Sequence, residues 1–108
     1  MATQVNLLID QGATFSTVID LVDENGVPIN LSSYTGASQL RRHYTSSNAI
    51  NFTVALTSNG VITLSLTANQ TTSLTAGRYL YDVEVTDNSG IVSRIVEGIV
   101  SVTPNVTR

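Results

Sequence analysis

Residues Ala49 to Thr67 read AINFTVALTSNGVITLSLT. Ile50, Phe52, Val54 and Leu56 alternate with small or polar residues, Asn59-Gly60 interrupts, and Ile62, Leu64 and Leu66 resume the alternation. Successive side chains of a strand point to opposite faces, so each arm presents one apolar face. Asn-Gly between two such arms is a hairpin signal, because both residues tolerate the positive φ angles of a tight turn.

The same period of two extends in both directions from this hairpin. In ATFSTVIDLVD, Phe15, Thr17, Ile19 and Leu21 share one face while Ser16, Val18, Asp20 and Val22 share the other. DENGVPI follows as a turn, with Asn25-Gly26 at its tip and Pro28 blocking simple continuation of the strand. QVNLLID predicts the first strand, and LSSYTGASQLRRHY an extended segment entering a strand over residues 37–44. GRYLYDVEVT and IVSRIVEGIVSV form two more strands around the turn Asp87 to Gly90, the second ending near Pro104. Gly98 inside it predicts a bulge or the close approach of another backbone. TANQTTSLTAG predicts one helical turn over 68–74, capped by Thr67 and ended by Gly77. No long 3.6-residue period, repeat or linker divides the chain, so residues 1–108 are expected to form one domain. About seven short strands with closely spaced turns predict an all-β, antiparallel two-sheet sandwich.

Composition excludes several kinds of chemistry. The chain has no cysteine and no lysine, and five arginines stand against eight carboxylates for a net charge of −3. Disulfides and thiolate sites are ruled out, and nucleic-acid binding is not expected without clustered cations. The amino-terminal stretch lacks a basic segment followed by an apolar run, so neither a signal peptide nor a membrane span is expected and a soluble, cytoplasm-made product is. His43 is the only histidine, and no serine lies in a nucleophile-elbow pattern. Asp82 and Glu84 fall on one strand face, which suits acid/base work, but the alternation around Tyr79, Tyr81, Val83 and Val85 requires polar residues there in any case. Asp23 to Asn25 and Asp87 to Gly90 offer oxygen ligands without a calcium-loop pattern, and turn chemistry accounts for them. No cofactor, metal or catalytic residue is expected.

What remains points to interaction. Val18 and Val22 lie opposite the Phe15 row, and Ile95-Val96 and Ile99-Val100 place apolar residues on both faces of one strand. A two-sheet sandwich needs one apolar face per strand, so the surplus predicts barrel-like curvature, a covered outer face or, in preference to these, a subunit or partner interface. The candidate interface residues are Arg41, Arg42, Tyr44, Arg78 and Asp82. Arg41 and Arg42 point to opposite faces of their strand, where an edge position would discourage strand addition. Arg78 and Asp82 share a face and are candidates for a salt bridge or an intersubunit contact. Tyr79 or Tyr81, following a tight connection, is placed to bond back to it as the tyrosine of a sandwich corner does.

Across FSTVIDLVDENGVPINLSSYTGASQLRRH and LTAGRYLYDVEVTDNSGIVSRIVEGIVSVTP the sequence resembles small immunoglobulin-like structural modules of tailed bacteriophages. The first stretch is similar to the N-terminal module of phage baseplate upper proteins, in its alternating strand, acidic-Gly turn and LSSYT segment. The second is similar to small virion proteins with an AGRYLYD strand and a closing VEGIVSVTP strand. The resemblance covers nearly the whole chain and supplies no catalytic residue. It implies an immunoglobulin-like sandwich that self-associates and docks onto other phage structural proteins in the capsid, neck, tail or baseplate. The implied location is the virion, assembled in the host bacterial cytoplasm. A carbohydrate-binding or host-surface adhesion module is the alternative; it requires exposed aromatics, and without tryptophan only Tyr34, Tyr44, Tyr79 and Tyr81 are available.

Overall fold

A computed structural model describes residues 3–23, 25–43 and 49–104. Nine strands and one short helix follow in the order β1 (Thr3–Gln4), β2 (Leu7–Asp10), β3 (Phe15–Asp20), β4 (Thr35–Arg41), β5 (Ile50–Asn51), β6 (Thr53–Leu56), β7 (Val61–Leu66), α1 (Ala68–Thr72), β8 (Gly77–Thr86) and β9 (Val92–Thr103). The smaller sheet is β3-β7-β6 and the larger is β1-β9-β8-β4-β5, with β2 also on β9. Every pairing between named strands is antiparallel except those of β1 and β2, which run parallel to β9. The result is the two-sheet sandwich that the alternation predicts, with immunoglobulin-type connections: β6-β7 and β8-β9 are hairpins, while β3 to β4 and β7 to β8 cross between sheets.

The apolar rows meet between the sheets. Ile19, Ile62, Leu64 and Leu66 face Leu40, Tyr81, Val83, Val96 and Val100, all buried. Removing a valine, leucine or isoleucine side chain from water contributes roughly 1.5–3 kcal/mol, so this layer supplies the main drive for folding. The Ala49–Thr67 segment behaves differently from a simple hairpin at its first arm. Ile50 and Asn51 pair with β4, and the Phe52 N–H donates to the Ser38 carbonyl at 2.9 Å, before Thr53 joins β7 in the other sheet. Phe52 stays buried where the chain changes layers, 6.1 Å from the Phe15 ring and 6.0 Å from Tyr81. The arm that reads as one strand is therefore two, and the strand predicted over 37–44 is β4 at Thr35–Arg41.

The first strand is likewise interrupted. Thr3 lies opposite Val96 and Leu7 opposite Val100, so β1 and β2 keep one register along β9 with Val5 and Asn6 between them. At that break the Tyr81 hydroxyl donates to the Val5 carbonyl at 2.6 Å, and the Asn6 side-chain oxygen accepts the Ile99 N–H at 3.1 Å. A Cβ on Gly98 would lie 2.0 Å from the Val5 carbonyl oxygen. Gly98 thus marks a close backbone approach, as its position in the strand predicts. The bulge of β9 lies nearer its start: Val83 pairs with Val96 but Glu84 with Arg94, leaving Ile95 as the extra residue.

The helical turn is α1, shorter than predicted by its last two residues. Thr67 caps it, accepting the Gln70 N–H while the Gln70 side chain accepts the Thr67 N–H. The buried Thr71 hydroxyl ties it to the connection between β2 and β3, donating to the Ala13 carbonyl at 2.8 Å and accepting the Gly12 N–H. Leu74 fills the core behind it.

Three of the turns share one construction. Asp23, Thr57 and Asp87 each accept, through a side-chain oxygen, the N–H groups two and four residues on. In each, the first residue also exchanges backbone bonds with the fourth and fifth, and the fourth is a glycine at φ +80, +76 or +84. Such values favour glycine because an L side chain is strained there.

Replacing Gly98 by alanine is expected to cost about 1–3 kcal/mol of unfolding free energy in urea, since the new methyl meets backbone and not a movable side chain. Amide exchange should quicken most at Leu7 and Ile9; unchanged stability would show that the Val5 segment yields freely. A second outcome concerns pH. Desolvation pushes Tyr81 up from 10.0 to about 12. Its stabilising contribution is complete below pH 10 and is lost as pH rises from 10 through about 12, so Tyr81→Phe should lack that alkaline decline when unfolding is followed by denaturant titration.

Candidate functional site

The outward residues of β4, β8 and β9 form the most chemically varied surface described. Two rows of register partners define its centre: Gln39, Asp82 and Glu97 lie side by side, as do Arg41, Leu80 and Ile99. Glu84 and Arg94 continue it toward the bulge, and Arg78 lies beside Ser101 at the opposite end. Gln39, Arg41, Leu80, Asp82, Glu84, Arg94 and Glu97 line a shallow open hollow of about 260 Å³.

Its electrostatics centre on Arg94. The guanidinium lies 3.5 Å from Asp82 and 3.6 Å from Glu97, bridging β8 and β9. The bulge at Ile95 makes this possible. Strict alternation from Glu97 would turn Arg94 toward the core, whereas the extra residue returns it to the outer face and directs Ile95 onto the core. Gln39 connects the neighbouring strands, donating to the Asn51 side chain at 2.8 Å and accepting from Arg41 at 2.9 Å.

The predicted interface residues therefore separate. Arg41, Arg78 and Asp82 belong to this face. Arg42 does not: its guanidinium lies over the Tyr79 ring, 5.1 Å from the centroid, where it covers the corner of the fold. Tyr44 lies outside the described residues. Asp82 is paired with Arg94 and not with Arg78, because side chains four apart on one strand are farther from each other than diagonal neighbours on adjacent strands. Arg41 lies at the end of β4, which is not an outer strand, although β5 covers it only at Gln39 and Leu40. Of the apolar surplus, Val18 and Val22 are exposed, while Ile95 packs on the core.

The remaining candidates are structural in their contacts. The Tyr79 hydroxyl accepts the Thr75 N–H and donates to the Thr75 carbonyl, both at 3.0 Å, which makes Tyr79 the corner tyrosine. Tyr79 and Tyr81 are buried and Tyr34 packs partly buried against the core, so no aromatic stacking platform is exposed among the described residues. Asp23 and Asp87 bond their own turns. Among the described residues no group of three or more histidine, cysteine or carboxylate side chains could hold a metal ion, and no helix is long and apolar enough to cross a membrane.

No family model and no curated protein matches the chain. Solved structures do. The N-terminal domain of phage TP901-1 ORF48 is 15% identical over 89% of this chain and 82% of that one, with a TM-score of 0.59. A Listeria monocytogenes internalin-like protein, lmo2027, is 19% identical over 96% of this chain but 28% of its own, at a TM-score of 0.47. A family 123 glycoside hydrolase from Clostridium perfringens is 13% identical over 97% of this chain and 24% of its own, at 0.44. At 15% identity and a TM-score of 0.59, what the chain shares with the phage domain is the fold.

Replacing Arg94 by alanine should change unfolding free energy by less than about 1 kcal/mol, because both its ion pairs are half exposed to water. A loss of more than about 2 kcal/mol in urea titration would show instead that the Asp82-Arg94-Glu97 group supports the fold.

Proposed function

We propose that this chain is a non-enzymatic structural module of a tailed-bacteriophage particle, and that it works by associating with copies of itself and with other particle proteins. The observation that carries this reading is a convergence of sequence and fold. The alternating strand, acidic-Gly turn and AGRYLYD segment that resemble phage modules fold into the sandwich also found in the phage TP901-1 domain, over 89% of the chain.

The chemistry of the described surface supports the same reading. Asp82, the carboxylate best placed for acid/base work, is neutralised by Arg94 on an open sheet face, where water screens it and nothing encloses a substrate. His43 is exposed at the end of β4. Charged and apolar groups spread over a rigid sheet suit recognition of another protein surface better than turnover. Capsid, neck, tail and baseplate are all compatible locations, and each presents symmetric, repeated positions to a small module.

The expected result is that density-gradient-banded particles of the phage encoding this chain contain it in a copy number fitting the symmetry of one virion position, as read by quantitative mass spectrometry. Particles that lack it after washing would remove the reading. A glycan array separates the adhesion alternative, for which a specific, reproducible sugar ligand is the outcome that would replace this proposal.

A further inference from the structure

The two outer faces of the sandwich differ in kind. That of the smaller sheet is built mainly from Ser16, Val18, Thr53, Ala55, Thr63 and Ser65, and its strands carry one charge, Asp20. The larger sheet presents Arg41, Arg78 and Arg94 together with Asp10, Asp82, Glu84 and Glu97. Three cations and four carboxylates leave this face within one charge of neutral. Everything else in the chain then holds two arginines against four carboxylates, which is −2 of the net charge of −3.

That distribution decides which surfaces two copies can bring together. Copies approaching through the smaller sheet or the end that carries the Asp23 and Asp87 turns meet like charge, because Asp20, Asp23 and Asp87 are found there. On the larger sheet's face each copy offers both signs to the other. Apolar contact is also present: Leu80 and Ile99 are neighbours across β8 and β9, neither belongs to the core, and Leu8 on the adjoining β2 is 62% exposed. The four strands hold four, twelve, ten and seven residues, so at roughly 3.3 Å per residue and 4.8 Å between strands the face covers about 520 Å² in plan. This is about two thirds of the ~800 Å² that each partner contributes to a standard interface.

We propose that the outer face of β2, β9, β8 and β4 is the surface through which two copies of this chain pair, sheet against sheet, about a two-fold axis. Each face supplies the apolar strip of Leu80 and Ile99 at the centre and charges of both signs around it, and the hollow beside Arg41 accommodates partner side chains. The proposal rests on the association reading above and gives it a location.

The test uses two complementary variants. Arg41→Glu with Arg78→Glu makes the face strongly negative, and Glu84→Arg with Glu97→Arg makes it strongly positive; both leave the Asp82-Arg94 pair in place. In sedimentation velocity the unaltered protein is expected to be a dimer, each variant alone a monomer with Kd raised at least tenfold, and their equimolar mixture a heterodimer. Circular dichroism melting confirms that each variant is folded, and recovery of the heterodimer requires it. Ser16→Glu with Thr53→Glu, and the matching arginine pair, place charge on the smaller sheet and should leave dimerisation unchanged. An unaltered protein that stays monomeric at millimolar concentration, or variants that do not complement each other, would overturn the proposal. A dimer missing from purified particles would leave this interface standing and remove the virion reading; a particle-bound protein that is monomeric in solution would do the reverse.

Discussion

The hydroxyl of Tyr81 and the carbonyl of Val5 form the contact on which the rest of the sandwich is arranged. A buried phenol without a partner carries a desolvation cost, and the amino-terminal strand supplies that partner where it leaves and rejoins β9. Gly98 makes the approach possible by having no Cβ, and Asn6 replaces a missing backbone acceptor with its side chain. On the other side of the Tyr81 ring stands Phe52, the residue at which the chain changes sheets, and Phe52 in turn meets Phe15 of the smaller sheet. Two separated segments of chain and both layers are thereby fixed through one aromatic side chain.

The surface chemistry depends on this interior arrangement. β8 and β9 are held by an apolar inner row that includes Val83, Val96 and Val100, so their outward residues stand on a rigid base. A single extra residue, Ile95, then decides which charged groups meet. It turns Arg94 outward beside Asp82 and Glu97, and it takes for the core an isoleucine that strict alternation would have placed in water.

Much of this was legible in the order of residues. Alternation located the main strands, Asn-Gly and Asp-Asn-Ser-Gly located two hairpin turns, and Thr67 marked the start of α1, because each of these signals acts over a few neighbouring residues. What escaped were effects of partners distant in the chain. The division of residues 50–56 between two sheets depends on the Ser38 carbonyl, and the break at Val5 depends on Tyr81. Arg94 was missed as a member of the candidate face because the bulge shifts the phase of β9; an arginine at an inward position of a regular strand was the available sign. Arg42 reads as surface charge, yet it covers Tyr79, which only the folded chain brings beneath it.

The three equivalent turns divide their labour unevenly among five positions. The first residue supplies the acceptor oxygen, the fourth supplies a glycine, and the fifth closes the backbone bonds. Asn25, Ser58, Asn59, Asn88 and Ser89 stand exposed between them, and their side chains perform none of these tasks. One end of the domain is therefore a scaffold with interchangeable positions: its architecture is written at a few fixed points, and the residues between them are open to diversification while the fold stays as it is.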